Sequence, residues 1–197
     1  MDDIDILIDL SLQIPQPILI GGWATYALLD EGVTHDIDII VEPRVRSLLH
    51  NIVDNYSENS HFGTVKGTGS VKGCPIDIYF LHESRLEGEI SLDVTRLAEY
   101  VEGEWNGYLL LSEEAVIASK LPAAVGRSGT EKGRKDAHAI LALIEAGSSP
   151  TETRQIFEYA QTKPDTSLWQ VAEECLKANV ETNGQRDIIH KFFHEAS

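Results

Sequence analysis

The chain has 197 residues, 42% of them hydrophobic, with 32 acidic against 16 basic side chains and a formal net charge of −16. That length supports one good core, or a mixed domain with a helical appendage, and no apolar run is long enough to span a bilayer. A field of this sign repels nucleic acid as a whole, since non-specific binding to phosphate backbones is mostly electrostatic; a long nucleic acid is a disfavoured partner, although a local basic patch is not excluded.

The amino terminus, "MDDIDILIDL", is acidic where a secretory signal would be basic. Cys74 and Cys175 lie far apart and in no metal-type spacing, so they make no disulfide framework. The expectation is a soluble, reduced, cytoplasmic protein with no membrane association.

Ile4, Leu7, Ile8 and Leu12 recur at helical spacing and predict an amphipathic first helix, ended by Pro15 and Pro17. The short apolar run "ILI" (18–20) meets Gly21-Gly22, and "WATYALLDEG" predicts a helix closed by Gly32. "DIDIIV" reads as a strand, and Pro43 and Arg44 open a helix expected to run to about Tyr56. The Gly-rich, β-branched stretch "HFGTVKGTGSVKG" suggests a hairpin feeding a further alternating strand, "PIDIYFL". A less regular stretch (82–106) precedes the strand "GYLLL".

From Ser112 the period becomes helical. "SEEAVIASKLPAAV" begins with a capping Ser and two glutamates that suit the helix dipole. "TEKGRKDAHAILALIEAG" gives a second helix ending at Gly147, and three more follow, after Pro150, around "SLWQVAEECLKAN" and in "QRDIIHKFFHEA". The expected organisation is an α/β core over residues 1–111 and a helical lobe over 112–197, two lobes with a cleft between them.

Chemistry concentrates in four places. On a strand, residues two apart share a face, so Asp36 and Asp38 project together while Ile37, Ile39 and Val41 enter a core. Like charges held that close repel and raise each other's pKa unless a cation sits between them, which points to a divalent metal. Gly21 and Gly22 stand where a strand hands over to a helix, so backbone there approaches a phosphate closely and the helix N-terminus offers free N–H donors. Asp77, in "IDIYF", is a third carboxylate on another alternating strand; if the two strands are neighbours, the three acids make an oxygen ligand set for two magnesium ions. Finally, Lys120, Arg127, Lys132, Arg134 and Lys135 crowd into residues 120–135 with Glu131 as the only acid, which suggests an anionic ligand.

Each feature has a plainer reading. The aspartates suit an exposed strand face, the glycines a tight turn, and the basic residues a solvated helix surface. Asp3-Ile4-Asp5 repeats the aspartate spacing on an expected helix, so spacing alone proves nothing. "GTVKGTGSVKG" lacks the following helix and Lys-Ser/Thr of a phosphate loop. His190 and His194 have the i, i+4 spacing of zinc ligands but no obvious third ligand in sequence, and read as surface residues. Trp23 could stack on a base, though core packing is the simpler role.

Taken together, "GGWA", "THDIDIIV" and "IDIYF" resemble the nucleotidyltransferase superfamily with the polymerase-beta-like fold, a mixed sheet with helices, here followed by a C-terminal helical bundle. The downstream "AVIASKLPAAVGRSGTEKGRKDAHAIL" looks most like the AbiEii toxin-type branch and its minimal relatives, with Lys120, Arg127 and Lys135-Asp136 at the matching positions. The resemblance covers roughly residues 15–145. It departs at Val33, where that branch commonly has Arg, and at Ala139, where many members have Asp.

The resemblance implies a magnesium-dependent transfer of a nucleoside monophosphate from an NTP. Asp36, Asp38 and Asp77 would be the catalytic metal ligands, and the Gly21-Gly22 turn would hold the leaving pyrophosphate. Lys120, Arg127 and Lys135 would contact the nucleotide. A further expectation is that the enzyme is one half of a toxin–antitoxin pair and that its target is its own cognate partner protein. The rival expectation is a non-catalytic module that keeps the fold and binds a nucleotide or a partner.

Overall fold

The computed structural model describes residues 3–30, 34–61 and 63–196. The chain divides into two compact units, Met1–Arg85 with Ala98–Ser112, and Leu86–Leu97 with Glu113–Ser197.

The first unit is built on a seven-stranded sheet in the order β3-β4-β5-β2-β1-β9-β8. Its strands are β1 (Ile18–Ile20), β2 (Ile37–Val41), β3 (Asp54–His61), β4 (Thr64–Val71), β5 (Cys74–Phe80), β8 (Val101–Trp105) and β9 (Tyr108–Leu111). The sheet is mixed: β2 runs parallel to β5 and β1 parallel to β9, while the other neighbours are antiparallel. Helix α1 (Asp3–Ser11) buries Ile6, Leu7 and Leu10. The buried Tyr108 hydroxyl on β9 donates to the Leu7 carbonyl at 2.9 Å, which fixes that helix to the strand beside β1. Helix α2 (Gly21–Leu29) follows β1 without a linker.

On one face of the two central strands, Ile37, Ile39, Val41, Ile76, Ile78 and Phe80 are all buried. This is the alternation that the sequence predicts for both segments. Gly67 and Gly69 of β4 face the same way, opposite Ile78 and Ile76. A Cβ on Gly67 would come within 3.0 Å of the Tyr56 ring, and one on Gly69 within 2.5 Å of Val53. The glycines of "GTVKGTGSVKG" therefore let the chain cross closely over the sheet, and the stretch is strand and turns, as a hairpin reading requires. Lys72 and Gly73, at φ 51° and 86°, form the left-handed pair of the two-residue turn into β5.

Two expectations need correction. The helix opened by Pro43 does not reach Tyr56: a 3-10 turn (Pro43–Val45) leads into α3 (Arg46–Ile52), and Tyr56 lies on β3. β3 is an edge strand, "DNYSENSH", polar almost throughout; edges are protected by such polarity, so no apolar alternation marked it. Nor is 82–106 irregular throughout. It holds the short pair β6 (Arg85–Leu86) and β7 (Leu92–Asp93), helix α4 (Val94–Ala98), and β8, which is the other sheet edge. The turn from β8 to β9 is Asn106-Gly107 at φ 49° and 86°, an Asn-Gly hairpin signal that stood in the sequence. Gly32, expected to close the helix after Gly21-Gly22, lies outside the described residues; α2 ends at Leu29 with Asp30 left-handed.

The second unit holds the helices α5 (Glu113–Gly126), α6 (Glu131–Ala146), α7 (Pro150–Ala160), α8 (Ser167–Asn179) and α9 (Asn183–Glu195), as the change of period predicts. Their ends follow local chemistry. Thr130 caps α6 by accepting from the Gly133 N–H at 3.0 Å, and Gly147 closes it at φ 113°. Ser149 and Pro150 open α7, and Thr182 with Gln185 forms a capping box at α9. Trp169 of α8 anchors the packing, with its ring 4.3 Å from Phe193 and its indole N–H donating to the Phe193 carbonyl at 3.1 Å. No described helix is long and apolar enough to cross a membrane.

Tyr108→Phe should cost about 1 kcal/mol, the usual net value of one buried hydrogen bond. Urea unfolding checks this: the midpoint should fall while the slope with denaturant stays unchanged.

Candidate functional site

The parallel pairing of β2 with β5 places Asp38 and Asp77 directly opposite each other, and the antiparallel pairing of β1 with β2 sets Ile20 beside Asp38. Register partners share a face, so the two carboxylates lie side by side on neighbouring strands, away from the isoleucine face. Both are partly exposed. Asp36 precedes the first residue of β2 and is exposed.

Gly21 sits at the junction of β1 and α2 with φ 70°. A Cβ added there would lie 2.2 Å from Asp38 Oδ2, so the missing side chain of Gly21 is the space the carboxylate uses. A Cβ on Gly22 would lie 2.7 Å from the Thr34 side chain. The two glycines thus bring the start of α2 against the strand that carries the aspartates, and no side chain caps that helix end. Its first N–H groups form the positive end of the helix dipole.

Two further residues of this face went unnoticed in the sequence. Lys66 of β4 donates to Asp77 Oδ2 at 2.6 Å and lies 5.2 Å from the centre of the Tyr79 ring. Tyr79 follows Asp77 by two residues and so projects from the same face; Lys66 is its register partner on β4. Burial, reinforced by the charge of Asp38, pushes the Tyr79 hydroxyl up to about 12. Burial is also the largest influence on Lys66, and would lower its pKa. The Tyr79 hydroxyl and the Asp77 carboxylate outweigh it and hold the ammonium above its ordinary value. The period-two rule applied to "IDIYF" points to Tyr79. Lys66 required the β4–β5 register, which only the turn at Lys72-Gly73 fixes.

Lys120, Arg127 and Lys135 belong to the helical unit. Lys120 is a buried residue of α5, 5% exposed. Arg127 follows α5 and reaches Asp136 at 3.4 Å. Lys135, on α6, pairs with Glu131 at 3.3 Å, and both are exposed. Ala139 lies on α6, and Val33 falls outside the described residues. Trp23 is buried among Tyr26 and Trp105, with ring centres 5.5 and 6.5 Å away, which is the core role.

The donors of the sheet face fit magnesium in kind. They are carboxylate oxygens on adjacent strands, with backbone N–H groups close by. In this conformation Asp36, Asp38 and Asp77 do not close into a three-ligand cluster. Among the described residues, the three His, Cys, Asp or Glu ligand atoms found within 4.8 Å of one another are those of Glu173, His190 and His194. The Lys66 ammonium stands at Asp77 instead.

No protein-family model matches this sequence, and no curated protein matches it. Solved structures do. The antibiotic-resistance factor ANT(2'')-Ia aligns over 80% of this chain and 91% of its own, at 15% identity and a TM-score of 0.50. An antigenic nucleotidyltransferase-like protein from Paracoccidioides brasiliensis covers 92% and 93% at 18% identity and a TM-score of 0.42. JHP933 from Helicobacter pylori covers 98% and 91% at 14% identity and a TM-score of 0.42. At these identities the likeness is one of fold: the chain shares the α/β fold of ANT(2'')-Ia, with a mixed sheet and helices, in agreement with the α/β class expected from the sequence.

Gly21→Ala tests the junction. The left-handed φ would cost roughly 1 kcal/mol or more, and the methyl would push the Asp38 carboxylate aside. The expected result is a modest drop in the urea midpoint and, where this face binds a nucleotide, a larger loss of that binding in calorimetric titration with MgATP. Unchanged nucleotide binding would separate Gly21 from the site.

Proposed function

We propose that this protein transfers a nucleoside monophosphate from an NTP to an acceptor outside the long nucleic acids. The observation that carries the reading is the register of Asp38 with Asp77 on parallel neighbours, with Gly21 opened to the Asp38 carboxylate. This pairing of carboxylates adds no apolar burial, unlike Ile40 further along the same face of β2. It costs electrostatic repulsion, and it places oxygen donors beside a helix N-terminus suited to phosphate.

Asp38 and Asp77, with Asp36 at the mouth of β2, are the residues to hold Mg²⁺. When bound, that ion neutralises phosphate charge and lowers the pKa of an acceptor hydroxyl. The chain's own groups do the rest. The Gly21-Gly22 backbone offers N–H donors to the pyrophosphate side of the nucleotide, and its lack of side chains lets the phosphates come close. A cation held by the carboxylates would compete with Lys66 for Asp77, and the displaced ammonium would be available to a phosphate oxygen. Tyr79, held protonated, can donate one hydrogen bond and adds no charge to the face. Lys120, Arg127 and Lys135 are the cations that sequence resemblance assigns to the triphosphate.

The net charge favours a protein side chain, a small molecule or an RNA end as acceptor. The AbiEii-type likeness, carried by the sequence motifs, adds a finer reading, that the enzyme is the toxin of a toxin–antitoxin pair and its partner protein the antitoxin.

A second reading is favoured by one contact. The Lys66–Asp77 pair neutralises one carboxylate without a metal, as a non-catalytic module that keeps the fold would require.

The deciding experiment incubates purified protein with extract of its source cells, magnesium and each of the four α-labelled NTPs. Label should enter a protein, RNA-end or small-molecule fraction with the native chain. It should fall at least about a hundredfold with Asp36→Asn/Asp38→Asn, the order expected when an electrostatic contact to the transition state is lost. No label from any nucleotide, where a control nucleotidyltransferase works, would favour the binding module.

A further inference from the structure

The helical unit carries a second cluster of metal-type ligands, which belongs to no part of the carboxylate face. His190 and His194 are one turn apart on α9, with ring centres 4.1 Å from each other, so both imidazoles emerge on the same side of the helix. Glu173 reaches them from α8. Its Oε1 lies 2.8 Å from His190 Nδ1 and its Oε2 lies 3.7 Å from His194 Nε2. The carboxylate is 5% exposed, while the two histidines are 57% and 62% exposed. One wall of the cluster is therefore protein and the other is water.

We infer that Glu173, His190 and His194 form a binding site for a single zinc ion, with water as the fourth ligand, that clamps α8 to α9. Tetrahedral zinc with bonds of about 2.0–2.2 Å requires its ligand atoms about 3.3 Å apart. The nearest carboxylate–imidazole approaches, 2.8 Å through Oε1 to His190 and 3.7 Å through Oε2 to His194, fall on either side of that value, and one donor atom from each of the three residues lies within 4.8 Å of the others. Small rotations of exposed imidazoles suffice to close the site. Two nitrogen donors with one carboxylate suit zinc better than magnesium or calcium, which take mostly oxygen.

Lys177 is the competing cation, 3.1 Å from Glu173 Oε1. It also lies 3.0 Å from Glu174 Oε1, so it keeps a carboxylate when Glu173 turns to the metal. The spacing of the histidines was visible in the sequence. What the sequence withheld was the third ligand, seventeen residues before His190 and brought beside it by the antiparallel return of the chain.

The test uses the full chain freed of any purification histidines, titrated with Co²⁺ in the presence of saturating Mg²⁺ to occupy the carboxylate face. One equivalent should give the intense visible bands of a four-coordinate site. Addition of Zn²⁺ should abolish the bands and raise the melting midpoint, since an ion that binds only the folded state stabilises it. His190→Gln and His194→Gln replace exposed side chains, so both variants should fold, and each should bind at least about tenfold more weakly, the scale reached even by outer-shell changes at such sites. Two results would overturn the inference. One is the absence of four-coordinate bands in the native chain, which would leave the cluster as an ion-paired surface. The other is an unchanged spectrum in the double histidine variant.

Discussion

The pairing of β2 with β5 in parallel is the constraint on which the first unit depends. It aligns two strands of the same pattern, "IDIIV" and "IDIYF", so that isoleucine meets isoleucine on one face and Asp38 meets Asp77 on the other. The apolar face supplies the stabilisation. Six large side chains that lose nearly all contact with water contribute about 1.5–3 kcal/mol each. Against this stands the repulsion of two carboxylates at strand separation. At about 5 Å and an effective dielectric of about 20 it amounts to roughly 3 kcal/mol, which the core can sustain. The sheet is thus strong enough to hold two like charges together, as a site for a cation requires.

Lys66 supplies one carboxylate of that arrangement with a positive charge from within the chain. Its ammonium joins Asp77 from the next strand, and Tyr79 receives part of its field. The pair is about a third exposed on each side, so solvent screens it and its net contribution is small. A contact of that kind can be exchanged. A divalent ion offers Asp77 twice the charge, and the lysine has a flexible stem and other acceptors to turn to. The same contact therefore suits both readings of the face, and the presence or absence of transfer chemistry separates them.

Much of this was legible in the sequence because period and composition report on burial. The alternation in 36–41 and 76–80 fixed two strands and the acid-bearing faces of both, and the change of period at Ser112 fixed the start of the helical series. The failures were at the sheet edges. β3 is polar almost throughout because an edge strand must discourage further pairing, which removes the apolar alternation, and β8, "VEGEW", is a short edge whose alternation spans only Val101 and Trp105 around Gly103. Lys66 was hidden for a related reason. It is followed by Gly67 and Gly69, which serve the close crossing over the sheet, so the stretch imitated a phosphate loop. The third ligand of the histidine pair was beyond sequence altogether, since nothing local links Glu173 to α9.

The cations proposed for the nucleotide differ in how strongly they can act. Arg127 and Lys135 are exposed and share acidic neighbours, Asp136 and Glu131, and in water such pairs contribute little and yield readily to another anion. Their pull on a phosphate is screened within about 8–10 Å at physiological salt. Lys120 is buried in α5, so a phosphate in solution has far less access to it than to the other two. In a chain of net charge −16, an anion has to be drawn in at short range rather than steered from a distance. A small, highly charged group such as a triphosphate satisfies that condition far better than an extended polyanion, most of whose charge would remain in the repulsive field.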